Sequence, residues 1–376
     1  MIPPRIQLLV CLLVLAVILI AGLLPFRRPQ NAVAWLENQN GLRFGRMGML
    51  VSSDTFHPEQ ACSLEIWLKP VVLRDSGTLL VFSTPENPMQ LWVRQYRNSL
   101  LVELWDHDAE RLLGIIGADN VFAQAKPVFL TITSGAVGAS MYLDGHLARS
   151  FPGFRFQNDC SGRLVVGSST VSVDTFTGEL YGLAVYRTEL ASPRVKEHYE
   201  TWTKLGRPEI AENDAAAAVY LFNEHAGNLV QSAVRPSVDL QLPERYSLLH
   251  HRFLQAFWKE NRARGFWKDL LINIVGFIPL GFVFCSFLST VRPNGRPILV
   301  TLFLGFAVSL TIEVLQAYLP TRSSGTTDLI TNTFGTFLGA AFCASSAGKA
   351  LLGKLAGPWV PLGSPNNFTD RGASSR

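Results

Sequence analysis

Three pairs of polar side chains interrupt long apolar stretches in the last third of the chain. The two residues of each pair are three or four positions apart, so each pair lies on one face of a helix. The pairs are Asp269 with Asn273, Glu313 with Gln316, and Asp328 with Asn332. Ionisable groups at membrane depth are costly and usually face a bundle interior or an aqueous cavity. We therefore predict one polar cluster at the membrane surface, where the three helices meet at the same end of a bundle.

Arg322, on the short connection between the last two apolar runs, is the cation predicted for this cluster. A guanidinium group pairs well with carboxylates, which places it near Glu313 and Asp328. Three interpretations stay open. The charges could clamp the loop while the amides join helices, or the cluster could hold a lipid headgroup or lipid-linked glycan. Alternatively, Glu313 or Asp328 could act as an acid or base, which requires a pKa near neutrality. No catalytic residue is assigned.

Four apolar runs are long enough to cross a hydrocarbon core of about 30 Å. They cover residues 6–24, 270–291, 298–319 and 329–347. The first run could belong to a cleaved signal peptide, because Ala32-Val33-Ala34 is similar to a cleavage site. The run is longer than a typical signal core, so we predict an uncleaved anchor over residues 1–33. The small net charge of +4 is spread along the chain, and no nucleic-acid partner is expected.

Residues 34–243 have a different pattern, with short alternating runs broken by Gly, Asn, Asp and Pro. This pattern is typical of antiparallel strands. Residues 63–69 and 91–96 alternate clearly, and Asp144-Gly145 predicts a tight hairpin turn. One helix is expected to begin with Ser192 as its N-cap. About a dozen strands predict an all-β sandwich of two sheets.

Several segments of this region resemble concanavalin A-like or laminin G-like (LamG) domains. They are the strand from Cys62 to Pro70, the Tyr142–Gly145 hairpin, the strand from Phe176 to Tyr186, and residues 220–227. The resemblance implies a jelly-roll sandwich that often binds glycan or protein outside the cell. Some members bind calcium, but we assign no calcium site, no metal and no other cofactor here. A few relatives hydrolyse glucans, yet the spacing of Glu103 and Asp106 does not place both on one strand face.

Two tryptophans are candidates for ligand binding in the sandwich. Trp92 and Trp105 could stack on sugar rings, or they could be ordinary core residues. Cys62 and Cys160 could form a bridge if the region folds in an oxidising compartment. The spacing of these cysteines in the sequence does not decide whether they meet.

The last three apolar runs, residues 269–347, resemble the VanZ-like membrane family. The matching features include Phe277-Ile-Pro-Leu-Gly-Phe282, Glu313-Val-Leu-Gln316, and the polar residues of the predicted cluster. Asn273 stands near a position where some members have histidine, so a proton-transferring histidine is not expected. Gly335 and Gly339 form a small-xxx-small motif that permits close helix approach. The resemblance implies a membrane fold and location but no particular reaction.

Two further segments complete the predicted organisation. Residues 244–268 mix aromatic and basic side chains, which suits a helix in the membrane interface, although a plain linker helix is the alternative. Residues 348–376 are rich in Gly, Pro, Ser and Asn and are expected to be disordered.

These expectations describe a multi-pass inner- or plasma-membrane protein of a bacterial envelope. The basic residues before residue 269 conflict with an external sandwich under the positive-inside rule, but long translocated domains weaken that rule. We place the sandwich on the extracytoplasmic side on the family resemblance. The expected partners are membrane lipid and a cell-surface glycan or lipid-linked precursor. A membrane enzyme acting through Glu313, Arg322 and Asp328 and a purely structural anchor are the alternatives, and the oligomeric state is not predicted.

Overall fold

The computed structural model describes residues 2–24, 28–57, 59–106, 111–234, 237–250, 253–254, 266–319, 322 and 324–355. The chain divides into two compact units. The helical unit comprises Met1–Leu24, Phe253–Ala317 and Ser324–Arg376, and the sandwich unit comprises Pro25–Arg252 and Tyr318–Ser323.

The sandwich unit contains two antiparallel sheets of eight strands each within the described residues. The strands are β1 Val33–Trp35, β2 Leu42–Phe44, β3 Leu50–Ser52, β4 Cys62–Pro70, β5 Asp75–Ser83, β6 Leu91–Arg97, β7 Ser99–Asp106, β8 Arg111–Ala118, β9 Val128–Ser134, β10 Gly138–Leu143, β11 His146–Pro152, β12 Arg163–Val166, β13 Gly178–Tyr186, β14 Ala216–Tyr220, β15 Leu229–Val230 and β16 Leu240–Gln241. This architecture confirms the predicted all-β sandwich.

Alternating side chains on both sheets build the core. The first sheet has the order β1-β2-β13-β4-β9-β10-β11, with β14 paired to β13. The second has the order β15-β16-β3-β12-β5-β6-β7-β8. Leu64, Ile66 and Leu68 of β4 point into the core, because alternate residues of a strand share one face. Leu91 and Val93 of β6 face them from the second sheet.

Local sequence signals account for the turns and for the helix that follows β13. Asp144 and Gly145 have φ angles of 48° and 77°, as the predicted tight hairpin turn requires. Helix α2 covers Ser192–Leu205, but its N-cap is Ala191 and no side chain caps it. The expectation that Ser192 is the N-cap was therefore wrong, because Pro193 in the first turn already fixes a helical φ. Gly206, with φ 70°, ends the helix in the left-handed conformation.

A disulfide joins Cys62 to Cys160, 98 residues apart in the chain. It links the start of β4 to the residue after the short 3-10 helix Gln157–Asp159. The sequence left this pairing open, since only the fold brings the two thiols together.

The helical unit contains α1 Pro4–Leu23, α3 Phe266–Val291, α4 Pro297–Gln316, α5 Thr326–Ala344 and α6 Ser346–Leu355. Within the described part of the chain, three helices are long and apolar enough to cross a membrane, namely α1, α3 and α4. The fourth predicted run does form a helix, α5, but it is not among the three. Polar residues such as Asp328 and Asn332 lower its hydropathy.

Helix α5 packs against α3 and α4 through small residues. A Cβ at Gly335 would collide with the Ile274 carbonyl oxygen, and one at Gly339 would collide with the Ile278 carbonyl oxygen. A Cβ at Gly305 of α4 would collide with the Thr336 side chain of α5. The predicted small-xxx-small motif therefore lies at a close helix contact, and a polar α5 is accommodated because other helices cover it.

Two expectations concern segments near the ends of the bundle. Residues 348–355 are helical as part of α6, so the expectation of disorder from residue 348 onward was wrong. The helix propensities of Lys349, Leu351 and Lys354 are favourable. They outweigh the low propensities of Gly348 and Gly353 in this short segment. Residues 356–376 lie outside the described residues. Most of the predicted connector, including residues 255–265, lies outside them as well.

Candidate functional site

The predicted polar pairs are joined by hydrogen bonds between helices. Asn273 of α3 donates from Nδ2 to Asp328 Oδ1 of α5 over 2.7 Å. Both side chains are partly buried. The structure therefore brings together one residue from each of two predicted pairs, because the close α3–α5 contact sets the N-terminal part of α3, about two turns in, beside the first turn of α5.

Glu313 is enclosed near the end of α4, with 1% of its surface exposed. Its Oε2 accepts a hydrogen bond of 2.9 Å from the backbone N–H of Gly325, the N-cap of α5. A carboxylate at a helix N-terminus is favoured by the orphan N–H groups and by the helix dipole. Gln316, one turn further along α4, donates from Nε2 to the Gly22 carbonyl oxygen of α1 over 2.7 Å. The second polar pair thus contacts both α5 and α1.

Asn332 lies deeper between α4 and α5 and is 4% exposed. Its Nδ2 donates to Ser309 Oγ over 3.0 Å. Its Oδ1 is buried and has no hydrogen-bond partner among the described residues, and Thr301 Oγ1 of α4 is in the same condition. Because an unsatisfied buried acceptor costs about 1–3 kcal/mol, Asn332 Oδ1 is a position where a donor from a bound molecule would be favoured.

Two further residues of the predicted cluster have exposed side chains. Asp269 is exposed in the first turn of α3. Arg322 is exposed, and its backbone N–H donates to the Leu319 carbonyl oxygen over 3.1 Å. Residues 318–323 group with the sandwich unit. The predicted pairing of Arg322 with Glu313 and Asp328 stays a prediction.

In the sandwich, the two candidate tryptophans belong to a second apolar layer on the outward face of β6 and β7. Trp92 is 7% exposed, its Nε1 donates to Thr78 Oγ1 over 2.8 Å, and the Arg94 guanidinium lies 4.0 Å from its ring centroid. Trp105 is partly buried and donates from Nε1 to Glu103 Oε2 over 2.9 Å. The ring of Trp92 is thus enclosed by its own chain, as the core alternative expects, and sugar stacking by Trp92 or Trp105 stays a prediction.

The exit segment of the sandwich covers this face. Tyr246 is fully buried, packs with the tryptophan layer, and shares a hydrogen bond of 2.8 Å with Ser168 Oγ. Leu248 and Leu249 pack on the same layer. His250 Nε2 lies 3.1 Å from Ser83 Oγ. The polar and aromatic groups of this face are thus used to dock residues 246–250.

A buried ionisable network, which the sequence did not predict, attaches α2 to the first sheet. Glu65 of β4 is fully buried and accepts hydrogen bonds from Tyr186 Oη at 2.7 Å and Trp202 Nε1 at 3.0 Å. His198 Nδ1 lies 2.9 Å from Glu65 Oε1, and His198 Nε2 lies 3.3 Å from Asp214 Oδ2. Two features of the sequence could have indicated this network. Glu65 lies on the outward face of an alternating strand, and an amphipathic helix must cover such a face.

This network shifts two pKa values in opposite directions. Burial alone lowers the pKa of His198, but the hydrogen bond and charge of Glu65 outweigh it and leave that pKa raised. Burial alone raises the pKa of Asp214, but the Arg194 guanidinium, 2.9 Å from Oδ1, leaves it lowered. Since every group already has partners in the core, we assign this network to stability.

A cavity of about 350 Å³ opens at one end of the sandwich, beside the disulfide. Its buried lining includes Phe56, Cys62, Cys160 and Tyr186, and its exposed lining includes Asp54, His57 and Arg187. The sequence did not indicate this cavity, because its lining residues come from five distant segments. Among the described residues no group of three or more His, Cys, Asp or Glu side chains could hold a metal ion.

Two family models match different parts of the chain. The model for the concanavalin A-like lectin/glucanases superfamily matches residues 45–196, and the VanZ/LLP1 model matches residues 215–347. Both predicted resemblances are therefore confirmed, and the VanZ-like match extends back into the last strands of the sandwich unit. The comparison with curated proteins gave no match.

Three of the solved structures that are similar to this chain illustrate the match. A heptameric SAP-like pentraxin from Limulus polyphemus is 14% identical, with a TM-score of 0.37, over 60% of this chain and 100% of that one. A protein from Bacteroides ovatus, assigned as carbohydrate binding, is 11% identical, with a TM-score of 0.39, over 57% of this chain and 58% of that one. The CBM40 of a Ruminococcus gnavus sialidase, bound to α2,3-sialyllactose, is 13% identical, with a TM-score of 0.34, over 42% of this chain and 95% of that one.

Proposed function

We propose that this chain, a lectin-like sandwich joined to a VanZ-like membrane region, is a cell-envelope protein that binds glycan through the sandwich and a lipid headgroup or lipid-linked glycan through the bundle. The observation that carries the proposal for the bundle is Asn332. Its amide oxygen is buried between α4 and α5, and no described residue donates to it. Glu313, fully enclosed nearby along α4, adds a carboxylate at membrane depth.

The disulfide supports an extracytoplasmic position for the sandwich. Structural disulfides form and persist in oxidising compartments and are rare in the cytosol of most cells. Cys62 and Cys160 are both buried at their bridge. The three apolar helices, α1, α3 and α4, provide the membrane attachment.

The bundle proposal is tested by comparing two variants that break the same hydrogen bond. Asn332→Ala removes both amide atoms, whereas Ser309→Ala removes only the hydroxyl that accepts from Asn332 Nδ2. We expect Asn332→Ala to weaken binding of a fluorescent polyprenyl-diphosphate disaccharide by about tenfold, since one lost hydrogen bond to a ligand contributes about 1–1.5 kcal/mol. Ser309→Ala should retain most of the binding.

Binding of the probe is measured with the full chain in nanodiscs. Equal binding by both variants, together with equal losses of thermal stability, would contradict ligand contact at Asn332 and support a purely structural anchor. That second candidate is favoured by the interhelical hydrogen bonds of Asn273 and Gln316, which join helices irrespective of any ligand. Glu313→Gln adds a further readout: binding that persists while the bound probe is no longer turned over would identify an enzyme.

A further inference from the structure

The cavity beside the disulfide has the composition of a ligand site. Its volume of about 350 Å³ is at the lower end of the range for small-molecule pockets, about 300–1,000 Å³. The inner wall is apolar and aromatic, with Phe56, Val185, Tyr186 and the cystine. Such a wall suits the C–H face of a sugar ring, because that face is apolar while the ring edge carries hydroxyls.

The opening of the cavity carries polar and ionisable groups. Asp54, His57 and Arg187 are exposed, and Glu59 and Ser237 are half-buried. Arg187 Nε lies 3.7 Å from Glu59 Oε1, with 48% and 42% of these side chains exposed. An exposed pair at this distance contributes little stability, so a ligand could displace it at small cost.

Asp54 has a different environment from Glu59. Its Oδ1 accepts the Thr55 backbone N–H over 2.8 Å, and within the described part of the chain no cation forms a salt bridge with it. The opening therefore carries two carboxylates and one guanidinium, besides the imidazole of His57. This balance favours a ligand that brings a positive charge and disfavours sialylated or phosphorylated sugars.

We propose that this cavity is a binding site for an amine-bearing sugar, whose ring packs on the apolar wall and whose ammonium group pairs with Asp54 and Glu59. The inference rests on the proposed glycan-binding function of the sandwich and names its site and ligand class. It also moves the site away from the tryptophan face, which the exit segment 246–250 covers.

The disulfide is part of this site. Cys62 and Cys160 both line the cavity, so their bridge joins the start of β4 to the 157–160 segment across its wall. Reduction would release that segment and open the wall. The site is therefore expected to bind its ligand only while the bridge is intact.

The experiment titrates the full chain in detergent micelles with three trisaccharides: glucosamine trimer, N-acetylglucosamine trimer and α2,3-sialyllactose. We expect the glucosamine trimer to bind at least tenfold more tightly than sialyllactose. Asp54→Asn and Glu59→Gln should each weaken that binding about five- to tenfold. Glu86→Gln, a change of the same chemistry at an exposed position outside the cavity, is the matched control and should have no effect.

Ser237→Phe is a second variant, which narrows the opening and leaves both carboxylates in place. It should abolish binding of the glucosamine trimer while the thermal unfolding midpoint stays unchanged. If the chain binds a glycan but none of the three cavity variants alters the binding, this inference fails and the proposed glycan function survives. If no glycan binds the unaltered chain, both fail. Tighter binding of sialyllactose than of the glucosamine trimer would overturn the assignment of ligand class.

Discussion

Glu65 of β4 is a single buried carboxylate that links its strand to helix α2. Its carboxylate is fully buried and accepts hydrogen bonds from Tyr186 and Trp202 while facing His198. Removing one partner of a buried ion pair costs about 3–5 kcal/mol, because the other charge is left uncompensated. Stability of the α2 attachment should therefore depend on the protonation of His198.

The sign of that dependence follows from the two shifted pKa values. The pKa of His198 is raised, so its contribution is fully present below the unfolded value of about 6.5 and is lost as pH rises through the folded value. The pKa of Asp214 is lowered, so its contribution is present above about 3.9 and is lost as pH falls through the folded value. We expect the network to stabilise most between these limits.

His198→Gln tests this dependence through near-UV circular dichroism melts from pH 5 to pH 9. The variant should melt at a lower temperature at pH 6, and its midpoint should decline less toward pH 9 than that of the unaltered chain. His146→Gln, at an exposed position, is the matched control. A parallel decline in all three proteins would contradict a role for His198 protonation.

The role of Trp92, in core packing or in ligand binding, can be tested by substitution. Its ring is enclosed and its Nε1 bonds to Thr78 Oγ1. Trp92→Phe should lower the free energy of unfolding by about 1 kcal/mol, because Thr78 loses a buried donor, and should leave glycan affinity unchanged. Calorimetric titration and thermal unfolding of the same variant measure both effects. A selective loss of glycan affinity would support sugar stacking by Trp92 instead.

At the scale of elements, the glycines of α5 determine how closely the bundle helices approach. Gly335→Ala places a Cβ against the Ile274 carbonyl oxygen, and overpacking of this kind costs about 1–3 kcal/mol. Gly276→Ala in α3 is the matched control, since no atom lies within 4 Å of its added Cβ. Thermal unfolding in detergent, followed by the helical circular dichroism signal, should show a lower midpoint for Gly335→Ala alone. Equal midpoints would mean that α3 and α5 separate easily.

The elements also explain why α5 is more polar than a lipid-facing span. Its buried face carries Thr331, Asn332, Gly335, Thr336 and Gly339, which are small or polar. Packing against α3 and α4 covers this face, so its polar groups can bond to other helices instead of meeting lipid. The hydropathy of α5 alone does not take into account that α3 and α4 bury its polar face.

At the scale of the whole molecule, the disulfide makes the stability of the sandwich depend on an oxidising compartment. It closes a loop of roughly 100 residues, for which the chain-entropy estimate of stabilisation is about 3–5 kcal/mol. The double change Cys62→Ser with Cys160→Ser should lower the free energy of unfolding of the sandwich by that amount. Chemical denaturation monitored by tryptophan fluorescence measures the difference.

The same bridge tests the proposed location. When cells are quenched with acid to trap thiols and the protein is then denatured, alkylation should label Cys62 and Cys160 only after reduction. The control chain carrying Cys62→Ser should expose its remaining Cys160 thiol without reduction. Labelling of both cysteines without reductant would place the sandwich in a reducing compartment and contradict the proposal.

The sequence by itself determined the two-part organisation, the all-β character of one part and the apolar helices of the other. These features depend on local periodicity and on runs of apolar residues, which are visible one segment at a time. The small-xxx-small motif of Gly335 and Gly339 and the Asp144-Gly145 turn were predicted for the same reason. Neither needed knowledge of distant parts of the chain.

Only the tertiary structure decided which distant groups meet. The bond between Cys62 and Cys160, the enclosure of Glu65 by α2, and the cover over Trp92 all join residues remote in sequence. Burial and hydrogen bonding depend on these contacts between distant residues. The local sequence around a polar residue in a strand is the same whether water or a helix covers that residue. The cavity at the end of the sandwich was hidden for that reason, since five separate segments form its wall.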